Sequence, residues 1–443
     1  MSTEVLEKKW SDLTPQEKRE QRDQWYLSPP GVAFPSPEAE RAYKTNAQRM
    51  IDVYNVREPD MVPVSLPMGN LAAGLSQYSL MYEPEKVMEL ASRLGGRGGA
   101  AGMSIGVMAT PGRVLELLDY KLYTWPGHGL PKDAPGYQFV EGEYMKADEY
   151  DELIRDPSDF WLRTYMPRAF GALQPFTQLQ PVTDVTEIVQ VVSHFVPYAR
   201  PDVRAALKAL IEVGEELERW MEITGGGRGG GAVARMFCKA PFDTIGDTLR
   251  GTKGIILDMH RQPEKLLKAL DVVADVTIAN TIANLNESKG LMAYFPLHKG
   301  ADGWMSHKQF MTFYWPSLKK VIDALIEEGI LAHLFAEGSY DTRLEYVNEF
   351  PKGAVSWLFD RTDMARAKQI LGDRCCISGN VPAGLLRAGT PAEVKEYCRK
   401  LIEACAPGGG FILACGTAQV DNAPPENLRA MQEAAQEYGV YRK

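Results

Sequence analysis

Short apolar runs and longer amphipathic stretches alternate through the second half of the chain. Val233–Lys239, Gly290–Leu297, Ile330–Ala336, Ala354–Phe359, Arg374–Ser378 and Gly410–Cys415 have the run length and aliphatic content of strands. Pro263–Asn286, Ser306–Glu328, Met364–Leu371 and Pro391–Cys405 have helical spacing, the second of them interrupted at Pro316. Strands separated by helices in this way predict an α/β fold, a parallel sheet with crossover helices.

The first half is less regular. Thr14, Pro15 and Glu17 occupy the N-cap, first and third positions of a predicted helix. A second helix is predicted over Pro37–Tyr54, and together these form a helical N-terminal extension, residues 1–57. Strands are predicted at Met61–Leu66 and Gln138–Met145, and helices at Ala147–Arg155 and over residues 183–222. The glycine-rich stretches 95–102 and 225–231 lack the Gly-Lys-Ser/Thr ending of a phosphate loop and read as flexible or lid-like loops.

Composition narrows the class. At 443 residues, with 45% hydrophobic and 24% charged positions, the chain can bury a large core without covalent staples. Its formal net charge of −9 argues against a nucleic-acid scaffold. No apolar run is long enough to span a membrane, and Met1–Trp10 lacks the apolar core of a signal peptide, so a cytoplasmic protein is expected. The six cysteines are then free thiols or ligands, Cys398 and Cys405 falling on a helix as apolar fillers.

Where a parallel sheet closes as a barrel, chemistry gathers at the C-terminal strand ends. Those positions hold His298 and Asp302, then His333 and Glu337, then Asp360, then Cys375, Cys376 and Asn380, and finally Cys415. Thiolate, imidazole and carboxylate are the side chains that zinc prefers. His333 and Glu337 share a face if the strand stays extended, whereas Cys375 and Cys376 must point to opposite faces, with Cys376 the preferred ligand. The alternatives are ordinary: buried cysteines as core, Asp360 as a helix cap, His298 as a satisfied loop histidine. Trp304 follows a strand and is a candidate for lining a substrate pocket, while Phe310, Phe313, Tyr314 and Trp315 lie on a helix and pack.

Gly379-Asn380-Val381-Pro382, Trp357-Leu358-Phe359-Asp360, and Gly408–Leu413 followed by Pro424-Pro425-Glu426-Asn427-Leu428 resemble, in series, elements of the uroporphyrinogen-decarboxylase-like superfamily. The resemblance spans about residues 290–440 and implies a (β/α)8 barrel of the TIM type over residues 58–443. The Arg-Gln-Ala-Gly-Arg-Tyr element that handles porphyrinogen carboxylates has no counterpart in residues 58–70. The other branch of that superfamily, the corrinoid-dependent methyltransferases, includes zinc enzymes with a His-x-Cys pair and a last-strand cysteine. Cys415 matches the last-strand position, but His333-Leu334-Phe335 puts Phe where Cys stands, and a shifted frame puts Glu337 there. A carboxylate in place of a thiol points to the relatives that demethylate methoxylated aromatics or other small methyl donors.

The resemblance therefore implies a methyltransferase. Zinc would be held by some of Glu337, Cys376, Cys415 and His333, Asp360 or His298 would donate a proton, and Trp304 and Asn380 would contact substrate. The chain lacks the Asp-x-His-x-x-Gly signature of a corrinoid-binding domain, so the cobalamin would arrive on a partner corrinoid protein. A metal-free carboxy-lyase acting on a tetrapyrrole or smaller acid, and a non-catalytic barrel that delivers a corrinoid or tetrapyrrole, remain alternatives, and a homodimer is left open.

Overall fold

A computed structural model describes residues 8–34, 36–67, 74–93, 110–180, 192–224, 235–417, 420 and 423–441. The glycine-rich stretches 95–102 and 225–231, and the 183–191 portion of the predicted 183–222 helix, lie outside the described residues.

Among the described residues, seven parallel strands form one curled sheet: β1 (Val64–Ser65), β5 (Arg235–Phe237), β6 (Met292–Leu297), β7 (Leu331–Ala336), β8 (Val355–Phe359), β9 (Cys376–Val381) and β10 (Phe411–Cys415), in the order β1-β10-β9-β8-β7-β6-β5. A separate three-stranded sheet is built from β2 (Tyr123–Pro126), β3 (Gly129–Leu130) and β4 (Gln138–Phe139), in the order β3-β2-β4. Helices Trp315–Glu327, Met364–Leu371 and Pro391–Cys405 return the chain between successive strands of the large sheet, and Pro425–Tyr438 follows the last. This is the TIM-type α/β architecture.

Register and period two divide the sheet residues between its faces. Ala293, Phe295, Leu297, Leu334, Trp357, Phe359, Ile377, Leu413 and Cys415 join the core shared with the surrounding helices. Met292, Leu331, Cys376 and Ile412, which alternate with them, pack instead against Tyr26, Tyr43, Ile51 and Tyr54 of the two N-terminal helices. Those helices, Pro15–Leu27 and Pro37–Tyr54, therefore plug the N-terminal end of the curled sheet. The first begins with the expected reciprocal cap: the Thr14 hydroxyl accepts from Glu17 N–H and the Glu17 carboxylate accepts from Thr14 N–H. Its buried Arg22 donates to the carbonyls of Leu285, Gly290 and Glu328, fastening the plug to the barrel.

Several predicted boundaries move. Strand Met61–Leu66 shortens to Val64–Ser65, and helix Ala147–Arg155 to Tyr150–Arg155. Gln138–Met145 keeps only Gln138–Phe139 as strand, because the Tyr144 and Met145 amides both turn to the Leu249 carbonyl. Arg374–Ser378 becomes Cys376–Val381, so Asn380 is a strand residue rather than a loop residue. Ser306–Glu328 opens with a Ser306–Gln309 capping box and passes through a π-helical turn, Phe310–Tyr314, before Pro316 enters the first turn of Trp315–Glu327.

Gly379 sits on β9 with φ of +121°, and a Cβ there would come within 2.5 Å of the Phe359 carbonyl oxygen. Both the dihedral and the close approach demand glycine. Gly379→Ala is expected to destabilise the protein by about 1–3 kcal/mol. Urea denaturation monitored by tryptophan fluorescence reads this, and an unchanged midpoint would contradict it.

Candidate active site

The C-terminal ends of β5 to β8 converge on one polar cluster. Lys239 follows β5, and the next turns of chain carry Asp243 and Asp247 on the short helix Pro241–Asp243 and the π-helical turn Thr244–Leu249. His298 and Lys299 follow β6, Glu337 follows β7, and Asp360 follows β8.

Asp243 is fully buried and is the anchor of the cluster. Its carboxylate accepts from the backbone N–H of His298 and of Lys299, each at 3.0 Å, and from the Tyr314 hydroxyl at 2.7 Å. Three donors on one carboxylate pin the turn after β6 to the helix after β5. Burial, and after it the neighbouring Asp247 charge, raise the Asp243 pKa above the ordinary carboxylate range.

Asp247 orients the catalytic candidate. Its Oδ2 lies 2.6 Å from His298 Nδ1 and 2.8 Å from Lys239 Nζ, and its Oδ1 lies 2.8 Å from Lys299 Nζ. Burial opposes ionisation of Asp247, but the His298 hydrogen bond and the two ammonium groups outweigh it and hold its pKa well below the usual value. Gly246 leaves room for this arrangement: a Cβ there would meet the Lys299 stem at 2.8 Å. Lys299 also donates to Thr252 Oγ1 at 3.1 Å and lies 5.4 Å from the centre of the Trp304 ring.

His298 points its other nitrogen toward the mouth of the barrel, where Nε2 is 3.8 Å from Glu337 Oε1. Burial works against its protonation, but the Asp247 hydrogen bond and the charges of Asp243, Asp247 and Glu337 prevail, raising its pKa above the ordinary histidine value. Glu337 is raised as well, by burial first and then by the carboxylates Asp243, Asp360 and Asp247, against the lowering effect of His298. The site thus pairs an imidazole and an adjacent carboxyl group whose protonated forms are both favoured by their surroundings, the equipment of general acid catalysis.

Because Asp247 holds the His298 proton, Asp247→Asn should lower the pKa of that imidazole. The two lysines remain and repel the imidazolium. Any rate that requires protonated His298 is kept below the raised pKa and lost as pH rises through it. The alkaline limb of the pH–rate profile should therefore move to lower pH in Asp247→Asn, and an unmoved limb would remove His298 from the acid role.

The residues expected from sequence divide into those brought together and those set apart. His298, Glu337 and Asp360 meet at the mouth, with Asp360 accepting from the Gly338 amide at 3.1 Å. Trp304 stands beside them through Lys299. Asn380 is committed to the Thr362 carbonyl at 2.8 Å and shapes the loop after β8. His333 lies in mid-strand, its Nδ1 3.1 Å from Ser356 Oγ and its ring stacked on Tyr294.

Cys376 is the first residue of β9, fully buried beneath the N-terminal helices, and burial raises its thiol pKa to about 12. Cys415 ends β10 but belongs to the core on the helix side of the sheet. Cys375 and Cys376 do point to opposite faces, one into each core.

The zinc set expected from sequence is not assembled. His333, Glu337, Cys376 and Cys415 occupy different depths and faces. Among the described residues no three His, Cys, Asp or Glu side chains converge as a metal cage. Two ammonium groups bonded to Asp247 further disfavour a cation there.

Lys239, Asp243, Asp247 and Lys299 were not singled out by the sequence pattern. A signal existed: two carboxylates at i and i+4, immediately after a strand end, share a helix face at the functional end of a barrel.

The sequence profile of the uroporphyrinogen decarboxylase (URO-D) family matches residues 216–438. Uroporphyrinogen decarboxylases from Erwinia tasmaniensis and Cellvibrio japonicus are both 24% identical, over 189 and 197 residues, covering 40% and 41% of this chain. The one from Pectobacterium atrosepticum is 26% identical over 189 residues. The chain spans about half the length of these curated relatives, 49%, 51% and 49% respectively. A solved methyltransferase from Methanosarcina mazei has a similar fold, with a TM-score of 0.56 at 15% identity, covering 90% of this chain and 98% of that one. Among the described residues, no helix is long and apolar enough to cross a membrane. With its profile match running over half of its length and its parallel barrel bearing the site at the strand ends, the chain belongs to the uroporphyrinogen decarboxylase (URO-D) family.

Proposed function

We propose that this protein is a corrinoid-dependent methyltransferase that demethylates a small methoxylated substrate. The acceptor is the cobalt of a separate corrinoid protein, a substrate of the reaction and not a resident cofactor. The observation that carries the reading is His298: an imidazole held by Asp247 at 2.6 Å, with its Nε2 3.8 Å from Glu337 at the strand ends. The methyltransferase fold similarity supports the same direction.

An ether oxygen is a poor leaving group, and it departs readily only when it receives a proton or a Lewis acid. His298 Nε2–H supplies the proton. The Co(I) electron pair forms the new bond to the methyl carbon, the carbon–oxygen pair stays on oxygen with that proton, and cobalt ends as methyl-Co(III). Glu337, with its raised pKa, returns a proton to His298. Holding donor and cobalt in line contributes much of the rate.

The test is to mix the protein with cob(I)alamin and a panel of methyl donors, methoxylated phenols and methylamines included, and follow the visible spectrum. Methylcobalamin formation with an aryl ether is the expected result. A second reading, a carboxy-lyase, is favoured by Lys239, Lys299 and His298 gathering three cationic groups where an acid substrate would need them. It predicts carbon dioxide release from a porphyrinogen or smaller acid and no methylcobalamin with any donor.

A further inference from the structure

The peptide between Leu297 and His298, at the end of β6, is held from both sides. Its N–H, on His298, donates to Asp243 Oδ2 at 3.0 Å. Its carbonyl, on Leu297, accepts from the Tyr340 hydroxyl at 3.4 Å. The same Asp243 oxygen accepts from the Tyr314 hydroxyl at 2.7 Å. Asp243, Tyr314 and Tyr340 are all buried, where a hydrogen bond is stronger than in water.

The two tyrosines come from different elements. Tyr314 ends the π-helical turn Phe310–Tyr314, a kind of turn that often marks a functional site. Tyr340 lies in the loop after β7, three residues past Glu337. They meet over Gly300, where a Cβ would collide with the Tyr340 hydroxyl and come within 2.8 Å of the Tyr314 ring. From Tyr340 the ties run on. Its N–H donates to Thr362 Oγ1 at 2.9 Å, and the Thr362 carbonyl accepts from Asn380 Nδ2 at 2.8 Å. One chain of contacts thus joins the ends of β5, β6, β7 and β8 to Asn380 of β9, and it passes through the peptide that carries His298.

We infer that Tyr314 and Tyr340 are positioning residues. Together they clamp the Leu297–His298 peptide against the loop that carries Glu337, and so set the 3.8 Å approach of His298 Nε2 to Glu337 Oε1. The inference rests on His298 as proton donor for its effect on rate, but not for its effect on the imidazole itself. A peptide free to tilt re-aims its side chain, and a misplacement of about 1 Å can cost about 10²-fold in rate. The charged groups around the His298 ring are Asp243, Asp247 with its partners Lys239 and Lys299, and Glu337 with Asp360 near it. Without the Tyr314 hydroxyl, Asp243 keeps only its two backbone donors and protonates more easily. Without the Tyr340 hydroxyl, Glu337 stands farther from the ring. Either change removes part of the negative charge that favours protonated His298, so the imidazole titrates at lower pH.

The test is Tyr314→Phe and Tyr340→Phe in the full chain, each of which keeps the ring and deletes one hydroxyl. Nuclear magnetic resonance of protein labelled with carbon-13 at histidine Cε1 follows the titration, with His298→Ala assigning the His298 signal among the six histidines. Each tyrosine variant is expected to move the His298 titration to lower pH, and the alkaline limb of methyl transfer with it. kcat should fall about tenfold at an unchanged KM for the donor. The Asp302 N–H still donates to the Ser339 carbonyl at 2.8 Å and joins the loops after β6 and β7, so both variants should fold. Should Tyr340→Phe not fold, Thr362→Val loosens the same loop by removing the acceptor of the Tyr340 N–H, and the same shift is expected. A titration left at the wild-type pH overturns the clamp, whatever the loss of stability, and a shift in one tyrosine variant alone overturns their joint action. A shifted titration with no methylcobalamin from any donor upholds the clamp and removes the proposed reaction.

Discussion

His298→Ala is expected to reduce methyl transfer by about 10²–10⁴-fold, the usual contribution of a positioned general acid. The fold should survive, because Asp243 holds the His298 backbone N–H and not its ring. Removing the ring leaves Asp247 with its two lysine partners, so no buried carboxylate is stranded. The loss should depend on the donor. A phenolate stabilised by a nitro group needs no proton to depart, so a nitrophenyl methyl ether should recover much of the lost rate in the variant. His298→Ala with wild-type rates for unactivated ethers would end the acid assignment. Equal losses for activated and unactivated ethers would reassign His298 to positioning.

Arg250→Ala carries the largest expected cost in stability, about 3–5 kcal/mol, the range for breaking a buried ion pair from one side. Arg250 and Asp258 are each almost fully buried, with Nε 2.6 Å from Oδ2. Burial alone would lower the Arg250 pKa, but the hydrogen bonds to Asp258 and Glu143 reverse the effect and raise it. Without the guanidinium, Asp258 keeps only the Tyr150 hydroxyl at 2.8 Å and the Gln262 amide at 3.0 Å against a buried charge. The Met145 carbonyl also loses its 2.5 Å partner, freeing the segment that carries Phe139 and Glu141. Urea denaturation measures the loss, and a change below about 1 kcal/mol would show that the pair is replaceable.

Much of the barrel was legible in the chain. Pro37–Tyr54, Met364–Leu371 and Pro391–Cys405 have the predicted bounds, because each starts at a proline with a Ser, Asp or Thr cap at or before it or follows a capping Asp, and each is amphipathic. Strands β6, β7, β8 and β10 fall within a residue or two of their predicted starts, since strands buried on both faces read as continuous apolar runs. Gln138–Met145 failed for the opposite reason. Its alternation suits a strand, but the partner of Tyr144 and Met145 is a carbonyl at Leu249, far along the chain. Local periodicity carries no record of such a partner.

Cys376 shows a subtler limit. Parity placed it correctly on the face opposite Cys375, yet depth along the strand is set by register. Pairing of Ser356 with Cys376 and of Cys415 with Val381 puts the two cysteines at opposite ends of β9. They also face different cores. A shift of two residues in the strand start therefore separates a proposed ligand from its site.

By itself the sequence determined the alternation of strands and helices, the capped N-terminal helices, and the chemistry-bearing positions His298, Glu337 and Asp360 at strand ends. Those follow from side-chain period and from capping, which act over a few residues. Only the tertiary structure decided that Asp247 would meet the His298 ring, 51 positions away, and that Asp243 would hold the His298 amide. Curling of the sheet brings successive strand ends to one mouth. Which carboxylate then reaches which imidazole is fixed by three-dimensional distance, and that distance acts together with burial on the pKa values of the site.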